Sequence, residues 1–147
     1  MKLLIINGPN LNLLGKREPE IYGKTRFEDF LAELRKKYGS EIDLFQTNIE
    51  GEIINKLHRA EEENYSGIIL NAGAYTHYSY AIHDAIKSIS IPVVEVHISN
   101  IFAREEFRQK SVIAPACIGS ISGFGLQSYE LAIHYFLISN RKVHGTT

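Results

Sequence analysis

Polar side chains recur at the ends of three apolar runs in this chain, and their types are those of acid–base chemistry. The run KLLII, Lys2 to Ile6, ends in Asn7-Gly8-Pro9-Asn10, a turn signal that also supplies two carboxamides. The run GIIL, Gly67 to Leu70, ends in NAGAYTH, with Asn71 and His77. A third run, Val93 to Ile98 after Pro92, carries Glu95 and His97 and ends in Ser99-Asn100. Between Gly15 and Gly23 a polar loop holds Arg17 and Tyr22, a guanidinium and a phenol. Glu95 and His97 are two apart on a strand and therefore share a face. A carboxylate beside an imidazole fixes its tautomer and favours its charged form, which suits a general acid. Each residue also has a plainer reading. A lone Asn after a strand is usually a turn residue, a buried Glu–His pair can be structural, and Arg17 and Tyr22 can belong to a solvated loop. Three strand ends each bearing amide, imidazole or carboxylate are harder to assign to turns alone.

The elements that must position these groups follow from periodicity. KLLII and GIIL show no alternation, as expected of strands buried on both faces. EIDLFQT contains a strand with an alternating start, which fits a sheet edge. Thr25-Arg26-Phe27-Glu28 has capping-box spacing, and Phe27, Phe30, Leu31, Leu34 and Tyr38 then recur at helical spacing up to Gly39. Asn48 is a candidate cap for a helix with Ile53, Ile54, Leu57 and Ala60 on one face and a solvated acidic side at Glu61 to Glu63. A third helix is expected from about Ser79 to Ser88, with Ala81, Ile82, Ala85 and Ile86 inward. The charged segment from Phe102 to Lys110 reads as a loop with a turn of helix. A fifth strand is expected over Ala116–Ile121, and a last helix from about Leu126 to Asn140. That helix is apolar over more than one face: Leu126, Tyr129, Ile133 and Phe136 form a stripe that Ala132 and Leu137 widen. Some of this excess fits a contact with another subunit. The tail from Arg141 to Thr147 is expected to be flexible.

Strands alternating with helices over short loops define an α/β fold with a parallel sheet. The simplest arrangement is flavodoxin-like, three layers with strand order 2-1-3-4-5, as a single domain over residues 1–147. Ligands in such sheets bind outside the carboxyl ends of the strands. Strands one, three and four are neighbours in that order, so their polar ends would converge on one crevice.

The bulk properties remove several classes. Of 147 residues, 44% are apolar and 22% charged, ordinary values for a globular protein. A net charge of −1 offers no electrostatic case for nucleic acid or an anionic membrane. Cys117 stands alone, which excludes an intrachain disulfide and a cysteine-rich metal site. Met1 leads into a strand-like run without the pattern of an export signal, so a cytoplasmic protein is expected. His77, His83 and His97 have no defensible zinc spacing. Gly123-Phe124-Gly125-Leu126-Gln127-Ser128 resembles a dinucleotide fingerprint, but no later strand completes the unit, and close packing explains it better.

Four longer stretches carry more weight than any of these motifs. IINGPNLNLLGKREPEIYG at 5–23, ILNAGAYTHYS at 69–79, VEVHISNIFAREEFR at 94–108 and GSISGFGLQSY at 119–129 together resemble the type II dehydroquinases, over nearly the whole chain. The resemblance implies a flavodoxin-like lyase that removes water from 3-dehydroquinate to give 3-dehydroshikimate. The elimination is anti and passes through an enolate, with no metal, Schiff base or other cofactor. It implies that Tyr22 is the base, held as tyrosinate by Arg17, and that Asn10 positions a water against the enolate oxygen. His97, oriented by Glu95, would protonate the departing hydroxyl. Asn71, His77 and Arg108 match hydroxyl-binding positions, the Ile98–Ser99 segment a carboxylate site, and Asp84 a residue acting across a subunit contact in a homododecamer of trimers. Tyr78 and Tyr80 depart from the family pattern, which bears on local helix packing or subunit contact. The chemistry is plausible on independent grounds. A free tyrosine, with pKa about 10, is ionised only about one part in a thousand at neutral pH, and a nearby guanidinium corrects this, more so under a lid that excludes water.

Three alternatives stay open at this point. The same reaction serves quinate breakdown. A flavodoxin-like flavin or nucleotide carrier predicts a yellow protein or stabilisation by nucleotide. A hydrolase using Ser99 or Ser79 with His97 predicts labelling by a serine-reactive phosphonate, although no GxSxG elbow is present.

Overall fold

Strand β1 (Lys2–Asn7) sits at the centre of the architecture because both of its faces are apolar. Leu3 and Ile5 enter one hydrophobic core while Leu4 and Ile6 enter another, and all four are essentially inaccessible. The computed structural model describes residues 1–16, 26–39 and 41–144, with side chains as far as Asn140. β1 pairs in parallel with β2 (Glu41–Gln46) and β3 (Gly67–Asn71); β4 (Val93–His97) pairs with β3, and β5 (Gly119–Ser122) with β4. The order β2-β1-β3-β4-β5 is the expected one, with the half-polar β2 at an edge. Helices α1 (Phe27–Tyr38) and α4 (Gln127–His144) cover one face. Helices α2 (Glu50–Arg59) and α3 (Tyr80–Lys87) cover the other.

Several local expectations change. The N-cap position of α1 falls on Arg26, which makes no side-chain cap; Thr25 lies outside the described residues. Asn48 does not cap α2. Its Oδ1 instead accepts from the Asn10 N–H at 3.0 Å and from Gln46 Nε2 at 3.2 Å, and Ile49 takes the N-cap position. Thr47 bridges that helix start, accepting from the Ile49 N–H and donating to Glu52. β5 begins three residues late because Ala114–Ala116 forms a 3₁₀ turn around Pro115, whose nitrogen cannot donate to a ladder. The charged segment after β4 holds two such turns, Ile101–Ala103 and Glu106–Arg108. α4 continues to His144, four residues past its expected end, with no Gly or Pro before Gly145 to stop it.

The stripe read on α4 turns inward. Tyr129, Ala132, Ile133 and Phe136 are buried, while the outward apolar residues are Leu131, Tyr135 and Ile138. Tyr78 and Tyr80 are exposed and leave the packing of α3 undisturbed; Ser79 caps that helix, accepting from the Ile82 N–H at 3.0 Å. No helix among the described residues is long and apolar enough to cross a membrane.

Candidate active site

The floor of the site is set by a close approach of two strand ends. Gly8 donates its N–H to the Asn71 carbonyl at 2.7 Å, and a Cβ at Gly8 would lie 2.6 Å from the Ala72 carbonyl oxygen. Only glycine lets the turn after β1 lie against the segment after β3. Asn10, in left-handed conformation with φ 70°, then turns the chain into a short 3₁₀ turn, Leu11–Leu13. Gly73, at φ +60°, starts a second such turn, Gly73–His77, against Pro9.

These turns and the loop after β4 enclose one cleft. Asn10, Asn71, His77, His97, Ile98, Ser99 and Arg108 all line it. Glu95 stands directly behind His97, fully buried, and accepts from His97 Nε2–H at 2.8 Å. That bond leaves Nδ1 as the nitrogen His97 can present to a ligand. The Glu95 carboxyl is pushed up by burial, but hydrogen bonds and charge from His97, with help from Ser111 and Ser120, more than offset this and hold it below the usual carboxylate range. His77 is tied through Nδ1 to the Lys110 carbonyl at 2.8 Å, so Nδ1 carries the proton and Nε2 is an acceptor. Burial lowers its pKa, against the raising effect of that backbone bond, which keeps the ring neutral.

Not every predicted residue takes the expected place. Asn7 does not reach the cleft. Side-chain parity turns Asn7 and Asn71, which are register partners, toward the α1–α4 layer. There the Tyr129 hydroxyl donates to Asn7 Oδ1 at 2.7 Å and accepts from Asn71 Nδ2 at 2.9 Å. Asn71 Oδ1 accepts from the Gly73 N–H, so its amide is held at the cleft in one orientation. Asn100 caps the turn Ile101–Ala103 through the Phe102 N–H. Ser79 is spent as a helix cap and as a donor to Glu50, which removes it as a nucleophile. Asp84 lies outside the cleft of its own chain, with a highly exposed side chain 3.1 Å from His83. Arg17 and Tyr22 lie outside the described residues.

Two residues escape a reading of motifs. Arg104 lines the cleft together with Arg108, and the spacing of the arginines in AREEFR is the only sequence hint of it. Tyr129 reads as core by helical spacing, and nothing in the sequence marks its hydroxyl. The two guanidiniums give the cleft a cationic wall suited to a carboxylate or an oxyanion. Among the described residues no group of three or more His, Cys, Asp or Glu side chains is arranged to hold a metal ion.

A parallel α/β sheet whose strand ends carry a buried imidazole–carboxylate pair, oriented amides and a cationic wall defines a flavodoxin-like acid–base enzyme. The chain belongs to the class II dehydroquinase family, whose model matches residues 1–137. It is 62% identical over 137 residues to the 3-dehydroquinate dehydratase of Caldicellulosiruptor saccharolyticus, covering 90% of this chain and 94% of that protein. The Bacillus licheniformis 3-dehydroquinate dehydratase is 54% identical over 143 residues, covering 95% and 98% respectively. Among solved structures, the type II dehydroquinase of Butyrivibrio crossotus aligns with a TM-score of 0.89 at 50% identity, covering 93% of this chain and 97% of that one.

Proposed function

We propose that this chain catalyses the anti elimination of water from 3-dehydroquinate to give 3-dehydroshikimate, in the cytoplasm, as a step of the shikimate pathway toward aromatic amino acids. The observation that carries the proposal is the buried His97–Glu95 pair opening on a cleft with two arginines, in a chain of this family. In the proposed reaction the Tyr22 phenolate, kept ionised by Arg17, takes the proton on the carbon alpha to the ketone. The electron pair enters the carbonyl as an enolate, whose oxygen faces a water positioned by Asn10. Collapse of the enolate expels the beta hydroxyl, which takes a proton from the His97 imidazolium and leaves as water. Tyr22 ends protonated and His97 neutral, so one proton returns between them through solvent before the next turnover. Asn71, His77 and Arg108 hold the substrate hydroxyls, and the Ile98–Ser99 segment its carboxylate. The assembly is a homododecamer, a tetramer of trimers, in which Asp84 reaches a neighbour's cleft; its exposure outside its own cleft supports that role.

The test is to mix the purified protein with 3-dehydroquinate and follow the ultraviolet absorbance of the conjugated enone. The assay is run with chelator and again after borohydride treatment in the presence of 3-dehydroquinate, which must be there to form any imine that borohydride could reduce. Turnover that survives both is the expected result. Loss to borohydride would replace the enolate route with a lysine Schiff base, and no absorbance would remove the dehydratase reading.

A further inference from the structure

One buried contact behind the cleft has no part in the reaction as written. Glu95 Oε2 receives two donors, His97 Nε2–H at 2.8 Å and the Ser111 hydroxyl at 2.5 Å. Oε1 has no hydrogen-bond partner of good geometry among the described residues. Ser120, the register neighbour of Glu95 on β5, adds a weaker influence. The polarity of the Ser111 hydroxyl is set by its other contact. The Ala114 N–H donates to Ser111 Oγ at 3.0 Å, so the single hydroxyl proton is directed to Glu95. The backbone here is pinned as well: the Val112 N–H donates to the Thr76 carbonyl at 2.9 Å, and Ile113 is wholly buried.

We propose that Ser111 is a positioning residue for the elimination, its oriented hydroxyl holding Glu95 as the carboxylate that in turn orients His97. This rests on the reading of His97 as the acid of a dehydratase. The physical reason is the pairing of donors on one oxygen. With two donors aimed at it, Oε2 is held as an acceptor, and a proton taken up at the unpartnered Oε1 would weaken both bonds by removing the charge they stabilise. Remove the Ser111 donor and a carboxylate in a fully buried site keeps one good partner, so its neutral form becomes accessible at higher pH. A neutral Glu95 no longer fixes the tautomer and charge of His97. Among the described residues the other ionisable groups around the carboxylate are His77 on the cleft side, Cys117, whose thiol burial pushes up to about 12, and Lys110, His134 and Tyr135 along the open side of β4 and β5. Among the described residues, His97 alone of these ionisable groups hydrogen-bonds to the carboxylate.

The experiment compares wild type, Ser111→Ala and Ser111→Thr by kcat and KM for 3-dehydroquinate across pH. Alongside, the Glu95 carboxyl is titrated by carbon NMR in the unliganded protein. For Ser111→Ala, kcat is expected to stay near wild type at neutral pH and to fall to about a tenth of it on the acid limb, with KM little changed. The acid limb of kcat, and the Glu95 midpoint, should move up by about one pH unit, the sign expected when a donor to the charged form is lost. Ser111→Thr, which keeps the hydroxyl, should restore both. A Ser111→Ala profile that overlays the wild type, or a pH-independent loss with an unmoved Glu95 midpoint, overturns the proposal. Inactive wild-type protein would overturn the dehydratase reading instead, and the NMR midpoint would still decide whether Ser111 governs Glu95.

Discussion

The role proposed for Tyr22 and the place of Tyr129 would put one side-chain type to two uses. Tyr22 is the proposed base, and its phenol is useful only as the anion. Tyr22→Phe should fold like wild type, with an unchanged melting temperature, yet lose nearly all turnover. A variant that kept the wild-type rate would demote Tyr22 to packing. Tyr129 works as a neutral donor and acceptor, fully buried between Asn7 and Asn71. Tyr129→Phe leaves two buried amides each short of a partner, which should cost about 1–3 kcal/mol in urea unfolding. The same variant should raise KM, since Asn71 loses the bond that orients its amide at the cleft. Stability lost without any change in KM would make Tyr129 a purely structural link.

Between these residues and the fold stand the strand ends and the turns that follow them. The turn at Gly8 is where β1 and the segment after β3 come closest. Gly8→Ala places a Cβ against the rigid Ala72 carbonyl, where no flexible side chain can yield. The expected cost is about 1–3 kcal/mol of stability, read from thermal unfolding. kcat/KM should fall with it, because Asn10 and Asn71 are carried on the two segments forced apart. Full activity in Gly8→Ala would show that the turn relaxes without moving the site. The same logic explains why α2 starts without an Asn cap: Asn48 is engaged by Asn10 and Gln46, so the residue that sequence assigns to a helix end braces the site instead.

Taken together, the charged groups of the site make the fold sensitive to acid. Glu95 is held below the usual carboxylate range in the folded protein, and His77 below the usual imidazole range. In both cases the unfolded chain binds its proton first as pH falls. The stability present at neutral pH is therefore lost progressively on acidification. Urea midpoints measured from about pH 7 down to about pH 4 should fall throughout, in two stages, imidazole first. A midpoint flat across the imidazole range would show that His77 is not held neutral. Assembly is tested by sedimentation, which should give a mass near twelve times the 16.6 kDa of the chain. Mixing inactive Tyr22→Phe with inactive Asp84→Ala, after dissociation and reassembly, should recover part of the activity if Asp84 serves a neighbour's cleft. Recovery of none would place Asp84 outside the reaction.

Much of this protein was legible from local pattern. Hydrophobic periodicity is carried by residues within a few positions of one another, so the strands, the helices and their sidedness could be read directly. Short loops and right-handed crossovers then left the order 2-1-3-4-5 as the simplest sheet. The spacing of Glu95 and His97 likewise determined that they share a face, and the structure pairs them. What the chain could not announce were contacts whose partners lie far apart in sequence. The Tyr129 hydroxyl meets Asn7 across 122 positions and Asn71 across 58, and Asn48 meets Asn10 across 38. The same holds for the hydroxyl of Ser111 on Glu95 and for Arg104 on the cleft wall. Each hydrogen bond depends on where a polar tip arrives once helices and turns have docked on the sheet. Amino-acid type and spacing set which way a side chain leaves its own element, but only packing decides what it finds there.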